Sequence, residues 1–168
     1  MTLLGDFDPD DRPLLAQALE AAAVLISTSS IGREEETASE GFAMASYALD
    51  SGPDHIAHPL IMSILQALSD RAADGVAFPN YVKLVTAPGA HDRAADVVRS
   101  ALAVVDAGAT PDEASAYRAW LLGIAVAVAQ AGKEDQGFLG RGGVMVNNAE
   151  RAALGELATL LGLEAPAA

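Results

Sequence analysis

Residues 110–131, TPDEASAYRAWLLGIAVAVAQA, decide the fold. They open with a helix start, because Thr110 occupies the cap, Pro111 the first helical position and Glu113 the third. From residue 119 to residue 129 no side chain is polar. A helix that is apolar on every side belongs inside a bundle, and this run is shorter than the about 20 residues that a membrane span needs. The segment therefore predicts a central buried helix over residues 111–131.

Apolar residues recur at helical spacing in almost every other segment, whereas the alternating pattern of a β-strand is nearly absent. The sequence predicts one all-α domain over residues 1–168, a compact bundle of six or seven helices. The further helices are expected at about 13–32, 34–52, 59–74, 80–86, 92–106 and 147–162. The residues predicted to face the core are Leu15, Leu19, Ala22, Ile26, Phe42, Ala45, Leu49, Ile61, Ile64, Leu65, Leu68, Val97, Val98, Leu102, Val105, Ala153, Leu157, Leu160 and Leu161.

No linker divides the chain, and the Pro- and Gly-containing stretch around residues 75–89 is the predicted midpoint between two halves. Each half contains an apolar helix, a turn and a helix that begins with glutamate. Residues 1–10 form an acidic N-terminal segment, and residues 163–168 are expected to fray.

The charge balance narrows the range of partners. The chain has 10 Lys+Arg and 23 Asp+Glu, a net charge of -13, which repels phosphate backbones and anionic lipid surfaces. The start of the chain has neither the basic region nor the apolar core of a signal peptide. These features predict a soluble cytoplasmic protein that binds no nucleic acid and has no membrane span.

Motifs for catalysis are missing from the sequence. It contains no cysteine, which excludes thiolate catalysis and cysteine-ligated metals, and it has no Gly-x-Ser-x-Gly elbow. The glycine-rich stretch 137–143 lacks the Lys-Ser/Thr ending of a phosphate-binding loop. A function without catalysis is therefore favoured.

Two hairpin patterns carry a resemblance to a known family. The C-terminal half reads IAVAVAQAGKEDQ over residues 124–136, then VNNAE over 146–150 and LGELATLLGL over 154–163; the N-terminal half reads AAAVLISTSSIGREEE over 21–36. These patterns resemble the TerB-like family, named for tellurite-resistance proteins. The resemblance implies an all-helical fold with two related halves and a non-enzymatic, stress-associated function. It also implies an acidic surface that binds divalent cations such as calcium.

The metal ligands that the resemblance implies are acidic residues at the turns and helix starts of both halves. In the first half Ile31 stands at the family's apolar position, while Ser29 replaces its turn aspartate. In the second half, an insertion offers its own acidic residues instead. The candidate ligands are Glu34, Glu35, Glu134, Asp135 and Glu150.

Other acidic and histidine patterns have simpler explanations. Glu34, Glu35 and Glu36 could join Glu40 on one helix face, where a solvated surface is more common than a bridging cation. The acidic run at 6–11 alternates like a calcium loop but lacks its glycine and final glutamate. His55 and His58 have metal-ligand spacing only in a helix, and Pro59 keeps His58 extended.

The loop 133–146 is the predicted interaction site, because a helical hairpin needs far fewer residues to turn. Phe138, Leu139 and Arg141 are its candidate contact residues. Two alternatives stay open at this point: the loop packs on its own domain, or it docks a second copy or another protein. The alternative function is correspondingly a helical interaction or ligand-binding module without metal.

Overall fold

A computed structural model describes residues 1–55, 57–76, 79–131 and 147–166, leaving out the side chains of residues 52 and 53. These residues form seven α-helices and no β-strand, which confirms the predicted all-α fold. Two short 3-10 helices, Leu4–Asp6 and Gly52–His55, precede α1 and α3. The α-helices are α1 (Arg12–Ser27), α2 (Glu34–Asp50), α3 (Pro59–Ala73), α4 (Tyr81–Thr86), α5 (Ala90–Gly108), α6 (Pro111–Ala131) and α7 (Asn148–Leu161).

The centre of the bundle is the pair of helices α1 and α6, which pack against each other. α1 also contacts α5 and α7, and α6 also contacts α2 and α7. Tyr117, Trp120 and Leu121 of α6 are fully buried, which confirms the predicted central helix. By length and composition α6 is the one helix in the described part of the chain that could cross a membrane, and core helices pass the same test.

The second helix of each predicted half packs on the first helix of the other half. In the N-terminal half, α2 contacts α1 and also packs on α6. In the C-terminal half, α7 contacts α6 and also packs on α1. The second helix of each half thus lies against the first helix of the other.

The predicted helix starts of α6 and α7 are confirmed by their capping bonds. The backbone N–H of Thr110 donates to Glu113 Oε2 at 3.1 Å. At α7 the backbone N–H of Asn147 donates to Glu150 Oε2 at 3.0 Å, and the N–H of Glu150 donates back to Asn147 Oδ1 at 2.8 Å. Gly162 ends α7 with a φ of 68°, a left-handed conformation that glycine adopts without strain.

The predicted core face of α2 is wrong. Phe42 and Leu49 are 75% and 67% exposed, and Ala45 is exposed as well. The buried side of α2 instead carries small and polar residues, namely Thr37, Glu40, Gly41 and Ala48. The other residues predicted to face the core are buried, with Leu68, Val97 and Leu160 partly so.

Close packing by two tyrosines explains this orientation of α2. A Cβ atom on Gly41 would lie 2.8 Å from Cδ1 of Tyr81, because the Tyr81 side chain of α4 occupies the space that a side chain at position 41 would need. The hydroxyl of Tyr47 approaches Gly123 of α6 in the same way. Small residues therefore let α2 approach its neighbours closely, and its large apolar residues are left on the outer side.

Candidate functional site

An exposed apolar line runs along α2, and we call it the α2 stripe. It consists of Ala38, Phe42, Ala45 and Leu49, spaced four, three and four residues apart, so that they lie on one side of the helix. All four residues are exposed. Exposed apolar residues that form a continuous line, rather than being scattered singly, indicate an interaction surface.

Acidic residues lie at both ends of the α2 stripe. Glu34 and Glu35 are exposed in the first turn of α2, and Asp50 is exposed at its last residue. Ile31, just before the helix, is 63% exposed. The surface is therefore apolar along its middle and negatively charged at its ends.

The opposite side of α2 contains a buried polar cluster. The Ser27 and Tyr81 hydroxyls are 2.9 Å apart, and Ser27 also hydrogen-bonds Glu40, which is 7% exposed. Either hydroxyl can donate in the bond between Ser27 and Tyr81. Burial raises the pKa of Glu40, and the nearby Glu150 and Glu36 carboxylates raise it further. The expectation that Glu40 lies on a solvated face is therefore wrong.

The two helix-start glutamates near Glu40 are already used in local structure. Glu36 accepts a hydrogen bond from the backbone N–H of Arg33 at 2.8 Å and forms an ion pair with its guanidinium at 3.2 Å. Glu150 caps α7 in the same position of its own helix and is 6% exposed. Glu36 and Glu150 are thus the equivalent capping glutamates of α2 and α7, each at the third position of its helix.

The predicted metal ligands are only partly described. Glu34 and Glu35 lie in solvent on the first turn of α2, whereas Glu150 is buried at the start of α7. Among residues 1–55, 57–76, 79–131 and 147–166, no three histidine or acidic side chains are placed to hold a metal ion. Glu134 and Asp135 lie outside the described residues, so the five-residue set stays a prediction.

The loop predicted to be an interaction site is outside the described residues as well. Phe138, Leu139 and Arg141 belong to the undescribed range 132–146. The α2 stripe is an exposed apolar surface that the sequence analysis did not predict. Helical periodicity alone did not reveal it, because α2 carries one line of apolar residues and one of small and polar residues, and the packing of Tyr81 against Gly41 determines which is buried.

Two grooves are also present on the described surface. One, of about 220 Å³, lies between α5 and α7 and is lined by Leu25, Leu157 and His91 among others. His91, one of the lining residues, has its Nδ1 3.0 Å from the Thr28 hydroxyl and its Nε2 3.6 Å from Glu156. The second groove, of about 390 Å³, runs beside Tyr47 toward the C-terminal segment. Both are mainly apolar.

Comparison with known proteins gives no relative. No family model matches the chain, and neither the curated proteins nor the solved structures contain a match.

Proposed function

We propose that this protein is a non-enzymatic helical interaction module that binds an amphipathic helix with basic flanks on the α2 stripe. The observation that carries the proposal is the exposure of Phe42 and Leu49, the two large apolar residues of the α2 stripe, which are 75% and 67% accessible. In monomeric proteins such residues are commonly turned to the core when they recur at helical spacing.

The spacing of the α2 stripe suits a helical partner. Its four members follow the repeat by which two helices pack side by side, with knobs from one entering the spaces of the other. From residue 38 to residue 49 the line extends about 16 Å at 1.5 Å per residue, which is three turns. Helix-on-helix docking of this kind uses apolar anchors at such positions.

Charge selects a basic partner over a second copy of the chain. The acidic ends of the α2 stripe, Glu34 and Glu35 at one end and Asp50 at the other, would face each other in an antiparallel pair of copies. The net charge of -13 adds repulsion between two copies. A partner helix with lysine or arginine beside its apolar face meets opposite charge, which speeds association and favours the correct register.

Binding of two model peptides tests the proposal. An amphipathic leucine–lysine helix is expected to bind the wild-type protein, whereas a leucine–glutamate helix of equal length is not. The double variant Phe42→Ala/Leu49→Ala removes the anchors and is expected to weaken binding by about tenfold or more. Fluorescence anisotropy of the labelled peptides measures both effects.

The matched control removes exposed apolar side chains elsewhere. Leu3 and Val76 are 43% and 46% exposed and lie outside α2, so Leu3→Ala/Val76→Ala is expected to bind like the wild type. Equal binding by the stripe variant, or equal binding of the acidic peptide, contradicts the proposal. A wild-type dimer in sedimentation velocity that the stripe variant loses assigns the surface to a second copy instead.

Divalent-cation binding by a TerB-like, stress-associated protein is the second candidate function. The proposal of a TerB-like protein draws on the packing of α2 on α6 and of α7 on α1, which fits the two related halves that the resemblance implies. The observation that bears on a cation is the pKa of Glu40, which burial raises and the Glu150 and Glu36 charges raise further, while no three acidic or histidine side chains of the described residues are placed to hold a metal ion. A divalent cation between such groups would relieve their repulsion. This candidate predicts that calcium stabilises the fold beyond its effect as a salt.

A further inference from the structure

The groove of about 220 Å³ between α5 and α7 has an apolar interior built by three helices. Both α5 and α7 pack on α1, and α1 contributes the buried Leu25 to the groove between them. Ala95 of α5 and Ala153, Leu157 and Leu160 of α7 complete the apolar lining. Pockets for drug-sized molecules measure about 300–1,000 Å³, so this groove suits a smaller ligand. No residue of α2 lines it, and it is therefore separate from the α2 stripe.

Two polar side chains of α5 stand at the ends of its side of the groove. The lining residues His91, Ala95 and Arg99 follow one another at intervals of four, so they share one face of α5. His91 and Arg99 are about 12 Å apart along the helix at 1.5 Å per residue. His91 is engaged with protein groups, because its two ring nitrogens lie 3.0 Å from the Thr28 hydroxyl and 3.6 Å from Glu156.

Arg99 presents unused hydrogen-bond donors at the other end of the groove. Its side chain is 58% exposed, and Nη1 donates to Asp96 Oδ1 at 2.5 Å. Nε and Nη2 make no hydrogen bond within the described part of the chain. A guanidinium binds a carboxylate through two parallel N–H donors, which makes arginine well suited to carboxylate recognition. The groove thus combines an apolar channel with an anion-binding group at one end.

We infer that the groove between α5 and α7 binds an unbranched monocarboxylate of medium chain length, such as octanoate. The carboxylate head binds the Arg99 guanidinium, and the alkyl chain lies along Leu25, Ala95 and Leu157. Repulsion of an anion by the net charge of -13 is screened beyond about 8 Å at physiological salt, so the charge in contact with the head group matters most. This ligand site goes beyond the proposed helix-binding function and does not depend on it.

A series of ligands tests which chemistry the groove selects. In calorimetric titrations of the wild-type protein with butanoate, hexanoate, octanoate and decanoate, affinity is expected to rise by about fourfold per CH₂, the equivalent of about 0.8 kcal/mol. The gain should level off when the chain exceeds the length of the groove. Octylamine and 1-octanol should bind at least about tenfold more weakly than octanoate. Equal binding of octylamine, or an affinity that does not depend on chain length, overturns the inference.

Substitutions on α5 test the position of the head group. Arg99→Gln is expected to weaken octanoate binding by about tenfold or more. Arg93→Gln, which neutralises an arginine of the same helix outside the groove lining, should bind like the wild type. Asp96→Asn removes the carboxylate that competes for the guanidinium and should tighten binding. Unchanged binding by a folded Arg99→Gln variant overturns the inference.

Two further measurements locate the alkyl chain. In the wild type, octanoate is expected to shift the methyl resonances of Leu25, Ala95 and Leu157; shifts confined to other methyl groups overturn the inference. Phe42→Ala/Leu49→Ala should bind octanoate like the wild type, because these residues lie outside the groove. Loss of octanoate binding in that variant places the ligand on the α2 stripe and also overturns it. If Arg99→Gln does not fold, the wild-type methyl shifts and the ligand series decide.

Discussion

At the scale of the single residue, Gly41 determines how closely α2 approaches α4. An added Cβ would lie 2.8 to 3.0 Å from Cδ1, Cγ and Cβ of Tyr81, atoms near the base of a side chain whose hydroxyl is hydrogen-bonded to Ser27. Gly41→Ala is therefore expected to lower the free energy of unfolding by about 1–3 kcal/mol, because overpacking outweighs the better helix propensity of alanine.

Chemical denaturation of Gly41→Ala beside Gly155→Ala measures this effect. Gly155 also lies within a helix, but nothing is within 4 Å of a Cβ added there. That control is expected to gain up to about 1 kcal/mol from helix propensity alone. If both variants are stabilised equally, the contact between α2 and Tyr81 is looser than the structure has it.

At the scale of the element, the start of α6 also anchors the N-terminal segment. The Glu113 carboxylate is 6% exposed and accepts hydrogen bonds from the backbone N–H of Thr2 at 2.6 Å and from the Thr110 hydroxyl at 2.7 Å. Burial alone would raise its pKa, but the bonds from Thr2 and Thr110 together lower the pKa to about 2. The ionised form is thus the one that the fold stabilises.

The pH dependence of stability follows from this lowered pKa. Because the folded value lies below the ordinary 4.5, the contribution of Glu113 is complete above about pH 4.5 and is lost as the pH falls toward 2. The full contribution of Glu113 to the free energy of unfolding is about 3 kcal/mol, since each unit by which the pKa is lowered corresponds to about 1.36 kcal/mol. Glu113→Gln is expected to remove most of it at pH 7 and little of it at pH 2.5. Denaturant titrations at both values measure the difference.

Glu164→Gln is the matched control, since Glu164 is an exposed carboxylate in the C-terminal segment. It should leave the free energy of unfolding unchanged at either pH. A Glu113→Gln variant with the wild-type pH profile would assign the acid sensitivity to other carboxylates.

How much of each helix could be predicted depended on whether its signals were local. The cap formed by Thr110 and Glu113 is a relation between residues three apart, and both its position and its bonds are as predicted. The core side of α2 is not local, because two lines of small or apolar residues run along that helix. Periodicity alone cannot choose between them. Packing of Tyr81 against Gly41 decides the choice, and that contact joins residues forty positions apart.

The candidate site was unpredictable for the same reason. The α2 stripe became visible only when Phe42 and Leu49 proved to be exposed. In the same way, the burial of Glu40 beside Ser27 depends on how α1, α2 and α4 meet, which the sequence pattern of α2 does not contain.

At the scale of the whole molecule, the net charge of -13 opposes compaction. The described ion pairs offset little of this repulsion. Arg118 holds Asp106 through two bonds of 2.6 and 2.8 Å, and Arg33 and Arg99 pair with acidic residues within their own helical turns. The two exposed pairs, those of Arg33 and Arg99, contribute about 0–1 kcal/mol each. Screening by salt should therefore weaken the repulsion between like charges more than it weakens the attraction within the ion pairs.

Sodium chloride is accordingly expected to stabilise the protein. Between ~0.01 M and ~0.1 M salt the screening length falls from about 30 to about 10 Å, which weakens repulsion across the whole surface. A gain of about 1 kcal/mol would raise the melting temperature by about 2–4 °C in a chain of this size. Thermal melts over this range measure it, and a melting temperature that falls with salt would show that the ion pairs dominate.

Calcium chloride at matched ionic strength separates screening from a specific site. Screening alone gives similar melting temperatures with sodium and calcium, whereas a cation held beside Glu40 gives calcium an additional rise. Glu40→Gln should abolish that additional rise, and Glu164→Gln, which neutralises an exposed carboxylate of the C-terminal segment, should leave it in place. The difference between the two salts is the quantity to compare, because Glu40→Gln also changes stability by removing a buried charge. If calcium adds nothing in the wild type, the cation candidate is wrong, and the proposal for the α2 stripe is untouched because it requires no metal.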